Sequence, residues 1–247
     1  MKKLLFLFTT LLLISCSGDD DTTNNDNTND DTTVLIKRIT EYYDEGSTTD
    51  VYVADYVYDG NKIVSIKEYL NDNLRYTFNF TYTNNLISQY NSMDERNDQY
   101  SSSTFFRYDN NNKLTEYTYK GYYDEYSENF VYNGNTVSSD DCITYELQNN
   151  QIVSFTEFSD DCQTIESSGN ITYDNKRNAL SNIEGYNWFS QVDYMFSATT
   201  EYNSGINNIT YDGDFDYEYD YYENGYPRNV VVTENGSSLA TITIEYY

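Results

Sequence analysis

A short motif recurs along the chain and limits its fold more than any other feature. It consists of a tyrosine, a turn of Asn, Asp or Gly, and an aliphatic pair that opens a polar stretch. Clear copies read YDGNKIVSIKEY from Tyr58, YDNNNKLTEYTY from Tyr108 and YDNKRNALSNI from Tyr173. Looser copies begin at Tyr82, Tyr132, Tyr145 and Tyr222. The first four copies lie about 25 residues apart, a period typical of stacked supersecondary units.

Each copy predicts a β-hairpin. Asn and Gly tolerate the positive φ that a tight hairpin turn requires, and the flanking Tyr, Val, Ile and Thr favour strands. In a strand, alternation puts one set of side chains on one face and the other set opposite. Ahead of the first copy these sets are Tyr52, Ala54, Tyr56 and Tyr58 on one face, and Val51, Val53, Asp55 and Val57 on the other.

The fold class that follows is all-β. We predict an antiparallel meander of repeated β-hairpins, forming a strongly curved sheet or a partly closed barrel. An open curved sheet is the alternative. Curling would protect the edge strands, and the tyrosine-rich face could half-bury its rings.

The motif resembles the YD repeats of Rhs-type and teneurin-like proteins, and those of small YD-like surface lipoproteins. The resemblance covers most of residues 50–235. It departs from that family because Asn often replaces the turn Gly, the spacing drifts, and the long arrays that wind into a shell are absent. The resemblance therefore implies a curved antiparallel sheet of hairpins, and it implies no enclosed toxin.

The N-terminus carries a second resemblance. Lys2 and Lys3 precede a largely apolar run from Leu4 to Ile14, which is too short to span a bilayer and suits a signal peptide. Leu-Ile-Ser-Cys, ending at Cys16, resembles the lipobox of bacterial lipoproteins, which implies cleavage before Cys16 and acylation of that residue. An ordinary signal peptide with an incidental cysteine is the alternative.

These features give three segments. Residues 1–15 are expected to be a lipoprotein signal peptide, residues 16–33 a lipidated cysteine with a disordered acidic tether, and residues 34–247 a single repeat domain. The tether lacks the apolar side chains that folding needs. Its run Asp19, Asp20 and Asp21 resembles the export signal of surface lipoproteins, although a solubilising linker would look similar. The expected location is the outer membrane, facing the cell exterior, or otherwise its periplasmic face.

Composition limits the partners and the chemistry. The formal net charge of −27 disfavours binding to nucleic acids. The chain has no histidine, which removes catalytic triads and histidine-ligated metals. We predict no cofactor and no enzymatic activity, and we expect the partners to be a membrane, through the lipid anchor, and a glycan or protein ligand.

Two cysteines follow paired aspartates. Cys142 and Cys162 both occur in the sequence DDC, and the oxidising compartment implied by the signal favours a disulfide between them. Strict hairpin register places Cys142 opposite about residue 157, so a bulge or a long connection must absorb the offset. Two free thiols are the alternative.

Two further groups are candidate binding sites. Alternating acidic residues could share a strand face and weakly bind Ca²⁺, although an acidic solvent face is the simpler interpretation. These residues are Asp212, Asp214, Asp216 and Glu218. Where the repeat pattern breaks, Tyr186, Trp188 and Phe189 form a candidate aromatic ligand platform, with core packing as the alternative.

The predicted function is that of a lipid-anchored, non-enzymatic binding or interaction protein. A structural coat or spacer protein is the first alternative. A glycan hydrolase that uses two carboxylates is the second, because such enzymes need only a pair of Asp or Glu side chains.

The lipobox generates a direct prediction. Cys16→Ser should abolish incorporation of a fatty-acid analogue and release the protein from the membrane fraction, because the acylated side chain is lost. Metabolic labelling followed by fractionation measures both effects, with Ser15→Ala as the control that keeps a small residue before the cysteine. Equal labelling of Cys16→Ser and wild type would contradict the lipoprotein interpretation.

Overall fold

The structure is a computed structural model, and it describes residues 33–44, 49–159, 161–186 and 206–247. Seventeen strands form one antiparallel sheet, accompanied by a 3-10 helix at Asp98–Tyr100. The predicted all-β meander is confirmed. Within these residues, no helix is both long enough and apolar enough to cross a membrane.

The strands follow one another along the sheet, mostly through short connections, although residues 178–206 separate β13 from β14. They are β1 (Ile36–Asp44), β2 (Thr49–Asp59), β3 (Lys62–Leu70), β4 (Asn73–Thr83), β5 (Leu86–Asp94), β6 (Ser102–Tyr108), β7 (Leu114–Lys120), β8 (Glu125–Asn133), β9 (Thr136–Ser139), β10 (Ile143–Gln148), β11 (Gln151–Phe158), β12 (Ile165–Asn170), β13 (Thr172–Arg177), β14 (Asn207–Tyr211), β15 (Phe215–Tyr221), β16 (Pro227–Glu234) and β17 (Ser237–Tyr246).

Strand pairing curls the sheet into a nearly closed barrel shape. Strand β1 pairs with β2 on one side and with β17 on the other, so the first and last strands meet. Strands β12 and β13 are separated only by Ile171, and they pair with β11 and β14 respectively. The weakest junction is β14 with β15, which share the single pair Tyr211 and Asp216.

The meander gives the sheet two different ends, because successive antiparallel connections alternate between them. We call the end with the tyrosine-led turns, such as residues 59–62 and 83–86, the turn end. The loop end carries the other connections, which include residues 70–73, 94–102 and 120–125.

The inner face of the sheet is mainly aromatic and aliphatic, and the outer face is mainly polar, with some exposed apolar side chains such as Val57 and Val131. Strand β8 shows the alternation: Glu128 and Phe130 are buried, whereas Ser127 and Asn129 are exposed. The inner face of the sheet supplies most of one continuous core, in which the largest fully buried side chains from the strands are Tyr90, Ile36, Ile63, Ile66, Ile87, Leu114, Ile152, Ile242, Val230 and Val232. Removing this apolar surface from water is the main stabilising contribution.

The repeat tyrosines connect neighbouring hairpins through their hydroxyl groups. The hydroxyl of Tyr108 donates to the carbonyl of Ile87 at 2.6 Å, and that of Tyr173 donates to Ile152 at 2.6 Å. The hydroxyl of Tyr82 instead accepts from the backbone N–H of Ile63 at 3.0 Å. In each case the partner belongs to the aliphatic pair of the preceding copy, so the motif pairs one copy with the next.

The turn chemistry agrees with the prediction. Asn84 and Asn85 have φ values of +52° and +65°, and Asn149 and Asn150 have values of +53° and +62°. Asparagine adopts this left-handed region more readily than most residues, which explains why it can replace the glycine of the motif.

The predicted disulfide between Cys142 and Cys162 is confirmed. Cys142 lies in the β9–β10 connection, and its carbonyl accepts from the N–H of Phe158 at 2.9 Å. Cys162 lies beyond the end of β11, in the connection that turns back towards β12. This connection absorbs the register offset, and the bond ties together two connections of the loop end.

Residues 178–186 cross the turn end. Within this plug segment Leu180, Ile183 and Tyr186 are buried, which places them in the core. The N–H of Glu184 donates to the carbonyl of Asn61 in the β2–β3 turn at 2.9 Å. The plug segment therefore covers the inner face at this end and is held by the turns of the repeat.

The plug segment generates a stability prediction. A Cβ added at Gly185 would lie 2.7 Å from the backbone oxygen of Asn85, whereas one at Gly236 would meet nothing within 4 Å. Their φ values, +77° and +78°, are nearly equal. Gly236→Ala should therefore lower the free energy of unfolding by about 1 kcal/mol, through backbone strain alone. Gly185→Ala should lower it by about 1–3 kcal/mol more, because its Cβ also clashes with the β4–β5 turn.

Urea denaturation of the two variants measures this difference. Gly236→Ala is the matched control for backbone strain, because it lies in the β16–β17 turn at the loop end. Equal midpoints for the two variants would mean that the plug segment does not pack against the β4–β5 turn.

Candidate functional site

Two carboxylates lie on the inner face of the first three strands. Glu41 on β1 pairs with Tyr52 on β2, and Glu68 on β3 pairs with Ala54 on β2. Tyr52 and Ala54 project to the same side of β2 as the buried Tyr56, so both carboxylates face the interior. We call Glu41 and Glu68 the acidic pair.

Glu41 is almost fully enclosed. The residue is only 4% exposed, and its Oε1 has no hydrogen-bond partner among the described residues. Burial raises the pKa of Glu41, and a hydrogen bond with Tyr43 acts in the opposite direction. The ionised form is therefore disfavoured, since a buried carboxylate with an unpaired oxygen loses hydration without full compensation.

Glu68 is half-buried and titrates near neutrality. Burial raises its pKa to about 7, and the nearby charge of Glu41 adds to the rise. Two ionised carboxylates repel each other, so a charge on Glu41 makes ionisation of Glu68 less favourable. A proton or another cation on this pair is therefore favoured at neutral pH.

Tyrosines surround the acidic pair. The rings of Tyr43 and Tyr52 meet edge to face, with centroids 5.6 Å apart, and Tyr52 is exposed. Tyr56 is buried, and its pKa is raised first by burial and then by the charges of Glu68 and Glu41. The pair therefore has an exposed ring, Tyr52, on one side and a buried ring, Tyr56, on the other.

This arrangement differs from the one that glycoside hydrolysis needs. A glycosidase keeps one carboxyl protonated and its partner ionised, in environments that push the two pKa values apart. Burial raises the pKa of both Glu41 and Glu68. The acidic pair is thus better suited to holding a cation or a proton than to dividing acid and nucleophile roles.

A second candidate site is a group of exposed rings at the loop end. Tyr100 follows β5, and Tyr122 and Tyr123 lie in the β7–β8 turn; they are 51%, 59% and 71% exposed. The ring centroids of Tyr122 and Tyr123 are 4.6 Å apart, and those of Tyr100 and Tyr123 are 6.2 Å apart. We call these three residues the tyrosine rim.

Buried interactions hold the rim in place. Asp94 is buried and accepts from Nε and Nη2 of Arg96 at 2.9 and 2.6 Å, which lowers the pKa of Asp94 to about 2. The same Nη2 donates to the hydroxyl of Tyr76 at 2.8 Å. These contacts fix the connection that carries Tyr100. In the β7–β8 turn, which carries Tyr122 and Tyr123, the ring of Tyr119 packs against Gly121. A Cβ added at Gly121 would lie 2.6 Å from the hydroxyl of Tyr119.

The predicted calcium group is not assembled. Asp212 is buried in the β14–β15 turn, where it accepts from the N–H of Phe215 at 2.8 Å and from the hydroxyl of Tyr217 at 2.5 Å. Asp216 and Glu218 instead project from the exposed side of β15, and Asp214 is exposed in the turn. The prediction of one shared face is wrong because β15 begins only at Phe215. Across the described ranges, no three Cys, Asp or Glu side chains form a metal-binding group.

The predicted aromatic platform falls partly outside the described residues. Trp188 and Phe189 lie in the segment 187–205, which the structure does not describe. Tyr186 is only 1% exposed and packs in the core with the plug segment. The assignment of Tyr186 to an exposed platform is therefore wrong, because the break in the repeat pattern marks a segment that turns inward.

Sequence reasoning missed both the acidic pair and the tyrosine rim. For the pair a signal exists: Ile39, Glu41 and Tyr43 alternate, so Glu41 falls on the apolar face of its strand. Glu68 likewise falls two residues after Ile66. An acidic residue in phase with an apolar face is unusual and can be read without a structure. The rim has no such signal, since tyrosine is frequent throughout the chain.

Comparisons with known proteins give a limited result. No family model matches the chain, and no curated protein matches it. Among solved structures, a porin-like protein from Bacteroides uniformis has a TM-score of 0.41 and 13% identity, covering 86% of this chain and 98% of the other. A porin-like protein from Bacteroides vulgatus has a TM-score of 0.40 and 12% identity, covering 87% and 99%.

The raised pKa of Glu68 generates a prediction about pH and stability. The pKa of Glu68 is higher in the folded protein than the unfolded value of 4.5. The protonated Glu68 therefore contributes stability that is fully present below pH 4.5 and is lost as the pH rises through about 7. Glu68→Gln cannot ionise. At about pH 8 this variant should be more stable than wild type by about 1–3 kcal/mol, and at about pH 4 the difference should vanish.

Thermal or urea unfolding at several pH values measures this effect. Glu218→Gln, at an exposed position on β15, is the control and should keep the wild-type pH profile. A Glu68→Gln profile parallel to that of wild type would show that Glu68 does not titrate in the folded protein above its ordinary range.

Proposed function

We propose that the protein is a lipid-anchored, non-enzymatic binding protein displayed on the outer membrane, and that its tyrosine rim binds a neutral glycan. The tyrosine rim is the observation that supports this function best. Its three rings are exposed next to one another, although most repeat tyrosines point into the sheet. Adjacent ring faces with wet hydroxyl groups can stack on sugar rings and bind their hydroxyls.

The surroundings of the rim favour a neutral ligand. Asp98 and Asp124 are exposed beside Tyr100 and Tyr123. Carboxylates accept hydrogen bonds from sugar hydroxyls, whereas the negative charge of the chain repels anionic glycans and nucleic acids. A cationic peptide would meet the same charges, so it is the competing ligand in the test below.

The outer face of the sheet supports a lipid anchor as the means of membrane attachment. Most of its side chains are polar, for example Asn79, Thr81 and Thr83 on β4, and the exposed apolar side chains, such as Val57 and Val131, are scattered among them. Such a surface is stable in water and is poorly matched to hydrocarbon. The proposed acyl chains on Cys16, with the tether that follows, would then hold the protein at the membrane. Asp19, Asp20 and Asp21 would direct it to the cell exterior.

A structural role as a coat or spacer protein is the alternative that the sequence analysis left open. Such a role needs no exposed aromatic cluster at one end of the sheet. The rim therefore favours binding, since neighbouring exposed rings are common at interaction surfaces. Kinship with YD-repeat proteins stays a prediction from the motif.

Replacing the rim tests the proposed function. The double variant Tyr122→Ala/Tyr123→Ala should weaken binding of the best neutral glycan by about 1–3 kcal/mol, because stacking surface is lost. Glycans and lysine-rich peptides on one array, followed by calorimetry with the best binder, provide the measurement. Tyr42→Ala, which removes another exposed tyrosine on β1, should leave the affinity unchanged.

Two outcomes would contradict the glycan proposal. One is an array on which only peptides bind, and the other is an equal loss of affinity in Tyr42→Ala and the rim variant. Circular dichroism should show unchanged strand content in both variants, since all three rings are exposed and contribute little to the core.

A further inference from the structure

We propose that the inner face of the sheet contains a second binding site, which takes a primary ammonium group on the carboxylates of Glu41 and Glu68 beside the rings of Tyr43 and Tyr52. This site is separate from the tyrosine rim, because it lies on β1, β2 and β3 and not on the connections of β5 to β8. It does not depend on the proposed glycan ligand.

The register places the two carboxylates on either side of β2. Glu41 pairs with Tyr52 and Glu68 with Ala54, so the two glutamates are two strand spacings apart across the sheet and two residues apart along it, or about 12 Å at the backbone. Both side chains project inward, and the charge of Glu41 adds to the effect of burial on the pKa of Glu68. An ammonium group between the two side chains would be within reach of both carboxylates.

An orphaned oxygen points to a missing donor. Oε1 of Glu41 is buried without a hydrogen-bond partner among the described residues, while the same side chain is hydrogen-bonded by Tyr43. A buried acceptor left unpaired is strongly unfavourable, and for an ionised oxygen the effect is larger. A ligand that donates to Oε1 would remove this penalty on binding.

Two nearby basic side chains are engaged by other carboxylates. Arg38 forms a bidentate pair with Asp55, at 2.6 and 2.8 Å, on the outer side of β1 and β2. Lys67 faces the same outer side, opposite Asp55. The guanidinium of Arg96 is bound to Asp94 and lies over the ring of Tyr76.

Arg75 precedes Tyr76 on β4, and its buried Nε has no hydrogen-bond partner among the described residues. The groups that shift the pKa of Glu41 and Glu68 include neither Arg75 nor another basic side chain. The cation that the acidic pair favours would therefore come from a ligand.

The chemistry of the site favours an ammonium group over a metal ion. Calcium prefers six to eight oxygen ligands, and the pair offers two carboxylates. An ammonium group carries three donors, which can be shared between both carboxylates. The exposed ring of Tyr52, in edge contact with Tyr43 at 5.6 Å, adds an aromatic surface that attracts an organic cation and its alkyl chain.

Protons should compete with this ligand. The other groups that face the pair are the tyrosines Tyr43, Tyr52, Tyr56 and Tyr76 together with apolar side chains such as Ile242, which pairs with Glu41. Beyond Tyr76 lie Asp94 and Arg96, which neutralise each other in an ion pair. Tyrosines are neutral well above neutral pH. Carboxylates must ionise to bind an ammonium group, so affinity should rise as the pH increases from about 5 to about 8.

Calorimetry with the full-length protein tests the site. The probes are n-butylammonium chloride and the peptide acetyl-Gly-Lys-Gly-amide, with acetyl-Gly-norleucine-Gly-amide and CaCl₂ as controls. We expect both amines to bind at about pH 8 and to bind at least about tenfold more weakly at about pH 5. If butylammonium and the lysine peptide both bind, the site accepts small amines and lysine side chains. If only the peptide binds, the site is specific for lysine side chains.

Matched variants locate the binding. Glu41→Gln and Glu68→Gln should each weaken amine binding by about tenfold or more, because each removes one charge-assisted partner. Glu218→Gln, on the outer face of β15, should retain full affinity. The glutamine variants should keep or raise the melting temperature at about pH 8, since an unpaired buried charge is removed, so weaker binding cannot be attributed to unfolding.

Several results would overturn the proposal. They are absence of amine binding by wild type, equal affinity in wild type and both glutamine variants, or binding of calcium in preference to the amines. The variant Tyr122→Ala/Tyr123→Ala should bind amines normally, so failure of this site and failure of the glycan site can be distinguished.

Discussion

The hydrogen bond from a repeat tyrosine to the backbone of the preceding hairpin is the interaction on which the sheet depends. Tyr108 reaches Ile87 in this way, and Tyr173 reaches Ile152. The hydroxyl satisfies a backbone group of the preceding return strand, while the ring packs against the core. At these positions one residue type provides core packing, the turn boundary and the contact between copies, a combination that leucine cannot provide because it has no hydrogen-bonding group.

β-Bulges bend the sheet. The strand register shifts between Val57 and Tyr58 and again between Thr81 and Tyr82, and each bulge increases the local twist and bend. The rings of Phe78, Tyr90 and Phe106 fill the concave side, with centroids 5.8 to 6.1 Å apart. Pairing of β1 with both β2 and β17 then removes the exposed edges. The two ends are finished differently. The plug segment covers the turn end, and the disulfide between Cys142 and Cys162 ties connections at the loop end.

The contrast between the two ends explains where binding sites can form. Near the turn end the inner face is closed by aliphatic side chains such as Ile63 and Leu180, and the buried amide of Asn208 there already donates to Asp174. Towards the loop end, acidic and aromatic side chains appear at Glu41 and Glu68 inside and at Tyr123 on the rim. Core stability and ligand recognition are therefore divided along the strand direction, so changes in the loop-end residues can alter binding with limited effect on folding.

The sequence by itself determined the hairpins and the alternation that turns Tyr56 inward, because turns and strand faces depend on neighbouring residues. It favoured a disulfide between Cys142 and Cys162 but left two free thiols as the alternative, and the structure shows the bond. Only the tertiary structure decided that the sheet is nearly closed, that Tyr186 is buried in the plug segment, and that Asp212 caps a turn apart from Glu218. These outcomes depend on contacts between residues far apart in the chain. The acidic pair falls between the two cases: the phase of each glutamate can be read locally, but their meeting across β2 and their burial follow only from strand register and closure.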